Sequence, residues 1–147
     1  MHRYNAKDFA RVGDSLRPRM PADPELLIHR NVRGGPADPE FAQERGAAVF
    51  VADIPSEKYS VTFSEIAPFG QKRNHRHSYD AITIFEAGEG YSVIEGRKVE
   101  WKAGDVLMIP VWAWHQHFNP NPEAVRYVTF ENAPELLNSG LAVREEA

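Results

Sequence analysis

The sequence predicts an all-β fold, an antiparallel sandwich or barrel that follows a short helical arm. The prediction rests on many short segments rich in β-branched and aromatic residues, on glycine-containing turns between them, and on the lack of long helical segments separating them. The chain has 147 residues, of which 42% are hydrophobic. That is the length of about one domain, with enough apolar residues for one core.

The arm, residues 1–46, is rich in proline and poor in β-branched residues, and the string PADPE occurs in it twice. In each copy an aspartate, Asp23 or Asp38, can cap a helix whose first position is the proline that follows. We therefore expect short helices over about 24–30 and 39–45. Because the arm has few core residues, we expect it to pack over the barrel or across a partner chain.

The strand pattern begins at residue 47 and predicts a barrel over residues 47–131. Eight segments have the period and composition of strands: they are residues 48–53, 58–67, 81–87, 91–96, 98–101, 105–110, 114–118 and 125–130. In the tail, residues 132–147, we expect one short helix over about 133–138, after which the chain frays.

The composition excludes several classes of function. Lys and Arg number 17 against 21 Asp and Glu, a net charge of −4, so no basic field is available for a polyanion and nucleic acid is not an expected partner. The absence of cysteine excludes disulfides, thiolate metal sites and a cysteine nucleophile. The charged start of the chain lacks the apolar core of a signal peptide, and no apolar run approaches the ~18 residues of a membrane span. We therefore expect a cytoplasmic protein with no membrane partner.

Four of the six histidines form two pairs with one residue between the members, His75 with His77 and His115 with His117. Side chains alternate along a strand, so each pair points to one face. Two imidazoles on one face can reach one metal ion, and a third from a distant strand can complete the set and leave positions open. A single pair of this kind is more often incidental than ligating, so the surrounding residues decide its meaning.

Glycine, proline and asparagine residues flank both pairs, in the patterns G-x4-H-x-H and G-D-x4-P-x4-H-x3-N: they are Gly70, Gly88, Gly90, Gly104, Pro110 and Asn119. This pattern, over about residues 65–130, resembles the two-motif signature of the cupin family. The resemblance implies a double-sheet jelly-roll barrel with a metal ion in its mouth. It also implies that His75, His77 and His115 hold that ion.

One position departs from the cupin pattern. The family usually has a glutamate four residues after the second histidine of the first motif, and this chain has Ala81 there. Asp80 and Glu86 are nearby, but on a regular strand both face away from His75 and His77. The simplest prediction is a site of three histidines without a carboxylate. Three neutral ligands leave a divalent ion its full charge, which suits an anionic, chelating substrate.

The local sequence resembles the gentisate and salicylate 1,2-dioxygenase branch of the cupins. The shared features are an HRH motif followed by alanine, an EGEG-like turn, and a second motif of the form W-x-W-H-x-H. Members of this branch use Fe(II) on three histidines to open the ring of an aromatic ortho-hydroxy acid with O2. The resemblance therefore implies Fe(II) as the cofactor, while a nitrogen site of this kind is also compatible with Mn, Ni or Zn.

Two features of this chain differ from the dioxygenase branch. The branch usually places an arginine two residues after the alanine, where it grips the substrate carboxylate, but here that residue is Thr83. Gentisate itself is therefore not implied, since threonine cannot replace a bidentate cation. Arg126 could supply the missing cation, or it could form a surface ion pair. The branch members are also two-cupin chains, whereas this chain has one.

Other residues are candidates for the same site. His117 shares a face with His115, so it could serve as an acid–base group, donate a hydrogen bond to substrate, or orient a ligand. Tyr79 could position a bound oxygen species, and we place both residues in the catalytic set. Thr83 and Trp112 could line a substrate pocket, although a tryptophan on a strand is equally typical of a core or an interface.

Three functions from different classes fit these observations. The first is an Fe(II) dioxygenase acting on a small chelating acid, with a hydroxylated aromatic acid as the favoured substrate. The second is an oxygen-independent lyase, isomerase or decarboxylase that uses its metal as a Lewis acid. The third is a small-molecule binding module without catalysis. In each case an exposed edge strand in a small barrel favours a homodimer.

Overall fold

The computed structural model describes residues 23–147, which form two antiparallel five-stranded sheets. The strands are β1 Ala48–Ala52, β2 Ser60–Ile66, β3 His75–His77, β4 Ala81–Ala87, β5 Glu89–Ile94, β6 Arg97–Lys102, β7 Val106–Ile109, β8 His115–Phe118, β9 Val125–Glu131 and β10 Arg144–Glu146. The first sheet has the order β1-β2-β9-β4-β7, and the second has the order β10-β3-β8-β5-β6. The predicted all-β architecture is confirmed.

The interior between the sheets changes character along β4 and β9. Phe85 of β4 lies opposite Tyr127 of β9, and near them Trp101 stacks on Phe85 with ring centroids 3.8 Å apart. Burial of each such side chain contributes roughly 1.5–3 kcal/mol, so this half of the barrel is its core. Toward the other end of the same two strands, Thr83 lies opposite Thr129 and both are buried. The buried polar residues mark that end as the candidate site.

Within the described residues, three short α-helices and one 3-10 helix accompany the sheets: α1 Pro24–Leu27, the 3-10 helix Val32–Gly34, α2 Pro39–Arg45 and α3 Ala133–Asn138. The predicted caps are confirmed, since the Asp23 side chain accepts a hydrogen bond from the amide of Glu25 at 3.1 Å and Asp38 from that of Phe41 at 3.0 Å. Helix α1 is shorter than predicted because none of its residues is buried, and a helix this short depends on packing. No helix within residues 23–147 is long and apolar enough to cross a membrane.

Helix α2 ends where the chain turns toward the barrel. Gly46 has φ of 69°, a left-handed conformation that favours glycine, and its amide donates to the carbonyl of Ala42 at 3.1 Å. The preceding residue, Arg45, is buried, and its carbonyl accepts from the amide of Arg73 at 3.1 Å. The helix therefore delivers a buried arginine to the chain segment that leads into β3.

The structure of the tail, residues 132–147, differs from the prediction in one respect. Helix α3 lies at the predicted position, but the chain beyond it does not fray. Strand β10 pairs antiparallel with β3, and Arg144 lies opposite His77. Without β10, β3 would be an edge with unpaired backbone groups, so the pairing satisfies both segments. Charged residues fill β10, and they give no alternating apolar signal from which a strand could be predicted.

Candidate metal centre

Three buried histidines converge at the polar end of the barrel. His75 and His77 come from β3, and His115 comes from the neighbouring strand β8, where it lies opposite His75. Their ligand nitrogens all lie within 4.8 Å of one another. The alternation of the strand explains this geometry, because the residue between His75 and His77 faces outward while both histidines are buried.

The backbone fixes which nitrogen each imidazole presents. The Nδ1 atoms of His75, His77 and His115 lie 2.8, 2.7 and 2.9 Å from the carbonyl oxygens of Arg73, Tyr79 and Ala113 respectively. A carbonyl oxygen can only accept a hydrogen bond, so each Nδ1 carries the proton and each Nε2 keeps its lone pair. Metal-ligating histidines typically have this arrangement.

The surroundings also keep the three imidazoles neutral. Burial, followed by the nearby His115, holds the pKa of His75 well below its ordinary value. Burial lowers the pKa of His115 to about 3 and also lowers that of His77. A neutral imidazole can bind a metal without first losing a proton, so the set is ready for binding at neutral pH.

No carboxylate belongs to this cluster within the described part of the chain. Asp80 is exposed, and Glu86 forms a surface ion pair with Arg33. Both therefore face away from the histidines, as the alternation predicts. Three imidazole nitrogens suit a divalent first-row metal such as iron, nickel or zinc, and they leave coordination positions open. The donor set therefore fits the metal that the sequence pattern implies.

His117 lies in the same cavity but has different partners. Its Nδ1 lies 2.6 Å from the hydroxyl oxygen of Ser92, which accepts a hydrogen bond from Nε1 of Trp101 at 2.8 Å. Within the described residues the Ser92 hydroxyl has no acceptor other than Nδ1, so we assign its proton to that bond, and this places the ring proton of His117 on Nε2. Burial, followed by the charge of Lys72, holds the pKa of His117 well below its ordinary value. His117 is therefore a neutral donor beside the three candidate ligands.

Tyr79 lies behind a candidate ligand. Its ring stacks on the imidazole of His77 with centroids 4.2 Å apart and an angle of 1° between the planes. Burial raises the pKa of its hydroxyl. Tyr79 is not among the residues that line the cavity, and the positioning of a bound oxygen species by its hydroxyl stays a prediction.

The structure separates the three residues that we expected to bind substrate. Thr83 lines the cavity, and its Oγ1 lies 3.4 Å from that of Thr129. Trp112 lies in the turn before β8 with φ of 64°, is 39% exposed, and packs on the guanidinium of Arg76 at 4.4 Å. Trp112 is therefore outside the cavity, because the turn directs it outward.

Arg126 also lies outside the cavity. Along β9 the odd-numbered residues face the interior, which places Arg126 on the outer surface. Its Nε lies 3.3 Å from the carboxylate of Glu65, and its side chain is 56% exposed. The expected replacement for the carboxylate clamp is therefore not at this position, and the residue forms the surface ion pair instead.

Four polar cavity residues were not identified from the sequence: Arg45, Lys72, Thr129 and Glu131. Thr129 and Glu131 obey the alternation of β9, and Glu131 lies opposite Ala81, so continuing the period would have found both. Arg45 ends a helix and Lys72 lies in a loop, where no periodicity applies. Only the tertiary fold brings these two cations to the histidines.

The cavity that these side chains enclose is small. Its free volume is about 20 Å³. One water molecule needs a free volume of about 10–15 Å³, so the cavity holds one or two water-sized ligands. The lining combines imidazoles, hydroxyls, two cations and one carboxylate, which suits a polar ligand rather than an apolar one.

Known proteins resemble this chain mainly over its barrel. A family model described as a cupin domain matches residues 62–131. A 5-aminosalicylate 1,2-dioxygenase from a Comamonas species is 32% identical over 73 residues, which are 50% of this chain and 19% of that protein. The 1-methylthio-D-xylulose 5-phosphate methylsulfurylase of Rhodospirillum rubrum is 32% identical over 72 residues, which are 48% of this chain and 46% of that protein.

A solved structure has a similar fold. Salicylate 1,2-dioxygenase from Pseudoaminobacter salicylatoxidans, in its adducts with gentisate, matches 77% of this chain and 32% of its own with a TM-score of 0.66 and 20% identity. At that identity the likeness establishes the fold alone. The match to the Comamonas dioxygenase spans about a fifth of that protein's length.

Proposed function

Residues 62–131 are a cupin domain, and from this premise we propose that the chain is an Fe(II)-dependent dioxygenase acting on a small chelating acid. The observation that carries the proposal is the convergence of three neutral imidazoles whose Nε2 atoms have no hydrogen-bond partner among residues 23–147. The resemblance to 5-aminosalicylate 1,2-dioxygenase supports the choice of reaction. Mn, Ni and Zn are the other ions that this donor set would accept.

In this proposal His75, His77 and His115 hold the metal through Nε2. Bound there, Fe(II) supplies the redox chemistry with O2 and open positions where a chelating acid can be held. Because all three ligands are neutral, the site keeps the full charge of the ion, and this favours an anionic substrate.

The other residues of the chain position the acid and the ligands. His117 offers its Nε2 proton to an oxygen of the acid, and the bonds from Trp101 to Ser92 and from Ser92 to His117 hold the ring in place. Thr83 offers a hydroxyl from the opposite sheet. Tyr79 fixes the plane of the His77 ring by stacking on it.

The size of the cavity limits the substrate. A free volume of about 20 Å³ is far below the several hundred Å³ of pockets that enclose drug-sized ligands. A compact acid therefore fits with smaller side-chain movements than a hydroxylated aromatic acid does. The aromatic acid remains in the proposal, and its ring would require the larger rearrangement of the lining side chains.

A second candidate function has a specific observation in its favour. Lys72 and Glu131 line the cavity beside the histidines, and burial, followed by the charge of Arg45, lowers the pKa of Lys72 to about 7. A lysine of that pKa can exchange protons with a bound substrate at neutral pH. An oxygen-independent lyase or isomerase needs such groups, and the relative from Rhodospirillum rubrum belongs to a class other than the dioxygenases.

Oxygen uptake by the Fe(II)-loaded chain tests the proposal. We would load the protein anaerobically and offer hydroxylated aromatic acids, diketones and small aliphatic chelators, with His115→Ala as the inactive variant and His29→Ala as its matched control. We expect substrate-dependent uptake that is lost in His115→Ala and kept in His29→Ala. No uptake across the panel with metal bound would favour the oxygen-independent enzyme.

We also propose that the chain forms a homodimer through the outer face of the first sheet. Ile82 lies opposite Met108 of β7 and Phe130 of β9, and the three side chains are 42%, 47% and 39% exposed. Adjacent apolar side chains on one sheet face are typical of an interaction site. A second copy, whose own face is also apolar, would cover it.

A further inference from the structure

Two buried cations share the cavity with the histidines. Arg45 is 8% exposed and Lys72 is 6% exposed, and both side chains line the cavity. The Nε atom of Arg45 is buried and has no hydrogen-bond partner in the described part of the chain. The charge of Arg45, after burial itself, is the main influence that lowers the pKa of Lys72. Because both side chains line one cavity of about 20 Å³, the two cations lie near each other in a place that water hardly reaches.

The fold holds both side chains in position. The guanidinium of Arg45 packs over the ring of Phe41 at 4.4 Å, and its backbone is tied to Arg73. The backbone amide of Lys72 donates to the carbonyl of His117 at 2.9 Å, and its ammonium lies 5.3 Å above the ring of Tyr127. Neither cation is a mobile surface side chain, so their proximity is a built feature of the barrel.

The charges of the lining do not balance. Arg45 contributes a positive charge and Lys72 contributes a second when it is protonated, against the single carboxylate of Glu131, while the histidines are neutral. A divalent ion bound by the histidines would add further positive charge to the cavity. A buried charge without a partner is costly, and a bound anion removes that cost. The cavity therefore favours an anionic ligand more strongly than the histidines alone would.

We propose that Arg45 and Lys72 form an oxyanion-binding subsite that holds the acidic group of the substrate beside the three histidines. The subsite deepens the proposed function and rests on it for the identity of the substrate. It accounts for a site in which Thr83 replaces the expected arginine, because the cations enter from α2 and from the loop before β3. Arg45 also lies outside the segment that matches the family model, so the arm contributes to specificity.

A carboxylate and a phosphate share the chemistry that this subsite recognises, since both offer oxygens to a guanidinium and an ammonium. The test uses the full chain loaded with Zn(II), which does not react with O2. Isothermal titration calorimetry at constant ionic strength would measure binding of oxalate and, separately, of inorganic phosphate. Binding of oxalate alone identifies a carboxylate site, and binding of phosphate alone identifies a phosphate site.

Arg45→Met and Lys72→Met remove each charge and keep a long side chain. We expect each to weaken binding of the preferred anion by at least about tenfold, as for a lost charge-assisted hydrogen bond. Arg45→Lys should weaken it less because the charge remains. Arg97→Met is the control, because Arg97 is an exposed cation at the start of β6, and it should leave binding unchanged. Near-UV circular dichroism would establish that each variant is folded.

Two results would overturn the subsite. One is that the unaltered chain, fully loaded with metal, binds neither anion. The other is that Arg45→Met and Lys72→Met bind the anion as tightly as the unaltered chain does. If a methionine variant does not fold, the same comparison is made with Arg45→Lys. Titration of the metal-free chain separates this proposal from the first. If the metal-free chain binds the anion and this binding depends on Arg45 and Lys72, the subsite is upheld even when the Fe(II)-loaded chain takes up no O2. If the Fe(II)-loaded chain takes up O2 but the methionine variants keep the anion affinity of the unaltered chain, only the subsite is rejected.

Discussion

At the scale of single residues, hydrogen bonds to the backbone decide what each histidine can do. His75, His77 and His115 give their Nδ1 protons to carbonyls and present Nε2 lone pairs, whereas His117 receives a hydroxyl proton at Nδ1. The spacing in the sequence predicted that these side chains share a face. It also set His117 apart from the three ligands, but it could not identify the partner of that imidazole, because Ser92 lies on another strand and carries no motif.

Ser92→Ala tests that role. The change leaves the Trp101 Nε1 proton and the His117 Nδ1 atom without partners in a buried place, since Ser92 is fully buried. We expect the free energy of unfolding to fall by about 1–3 kcal/mol, the cost of an unsatisfied buried group, and substrate turnover to fall while metal content stays the same. Urea denaturation, turnover and metal analysis would measure the three effects.

Ser139→Ala serves as the control for this change. Ser139 is exposed and bonds only to carbonyls of its own helix, so its loss should alter none of the three measurements. Loss of metal from Ser92→Ala, with stability unchanged, would contradict the assignment of His117 as a donor and make it a ligand.

At the scale of elements, the sequence predicts what is periodic and misses what is not. Alternation predicted the strands that carry the histidines, and the proline and aspartate pattern predicted the starts of α1 and α2. Two strands lie outside the eight predicted segments. One is β3, although its histidine pair was expected to lie on a strand. The other is β10, whose charged residues show no apolar alternation and which joins β3 through backbone pairing and the Arg76–Glu145 ion pair. Arg45 was missed for a related reason, because the sequence at the end of a helix does not predict the tertiary contacts of its last side chain.

Asp38→Ala tests whether α2 serves the cavity. The Asp38 carboxylate caps the helix that ends in Arg45, and loss of such a cap costs about 0.5–2 kcal/mol. We expect lower stability to denaturant and a weaker affinity for the preferred anion in calorimetry. Asp23→Ala removes the matching cap from α1, which buries no residue, and should leave the anion affinity unchanged. Equal losses of affinity in both variants would contradict the role of α2.

At the scale of the whole molecule, one barrel is divided into an apolar half and a polar half. The apolar half is built around Phe85, Trp101 and Tyr127, and it supports the strands that carry the polar half. The resemblance in the sequence predicted the barrel and the three histidines because both depend on residues within the strands. It did not predict how segments outside the barrel motifs close the cavity, because those contacts join residues far apart in sequence.

The proposed homodimer is also a property of the whole molecule. Ile82→Glu places a charge in the apolar face of the first sheet and should convert a dimer into a monomer. Val99→Glu is the control, since Val99 is an exposed apolar residue on β6 of the second sheet. Light scattering after gel filtration should give about twice 16.6 kDa for the unaltered chain and for Val99→Glu, and 16.6 kDa for Ile82→Glu. A monomeric unaltered chain would reject the dimer.

The most direct test of the account is the metal content of the chain itself. After incubation with Zn(II) or Fe(II) and removal of free metal, elemental analysis should find one ion per chain, and competition with a chelator should give its affinity. His75→Ala, His77→Ala and His115→Ala should each lose most of the bound metal, while His29→Ala keeps it. Retention of a full equivalent by all three variants, or no retention by the unaltered chain, would contradict a three-histidine metal centre.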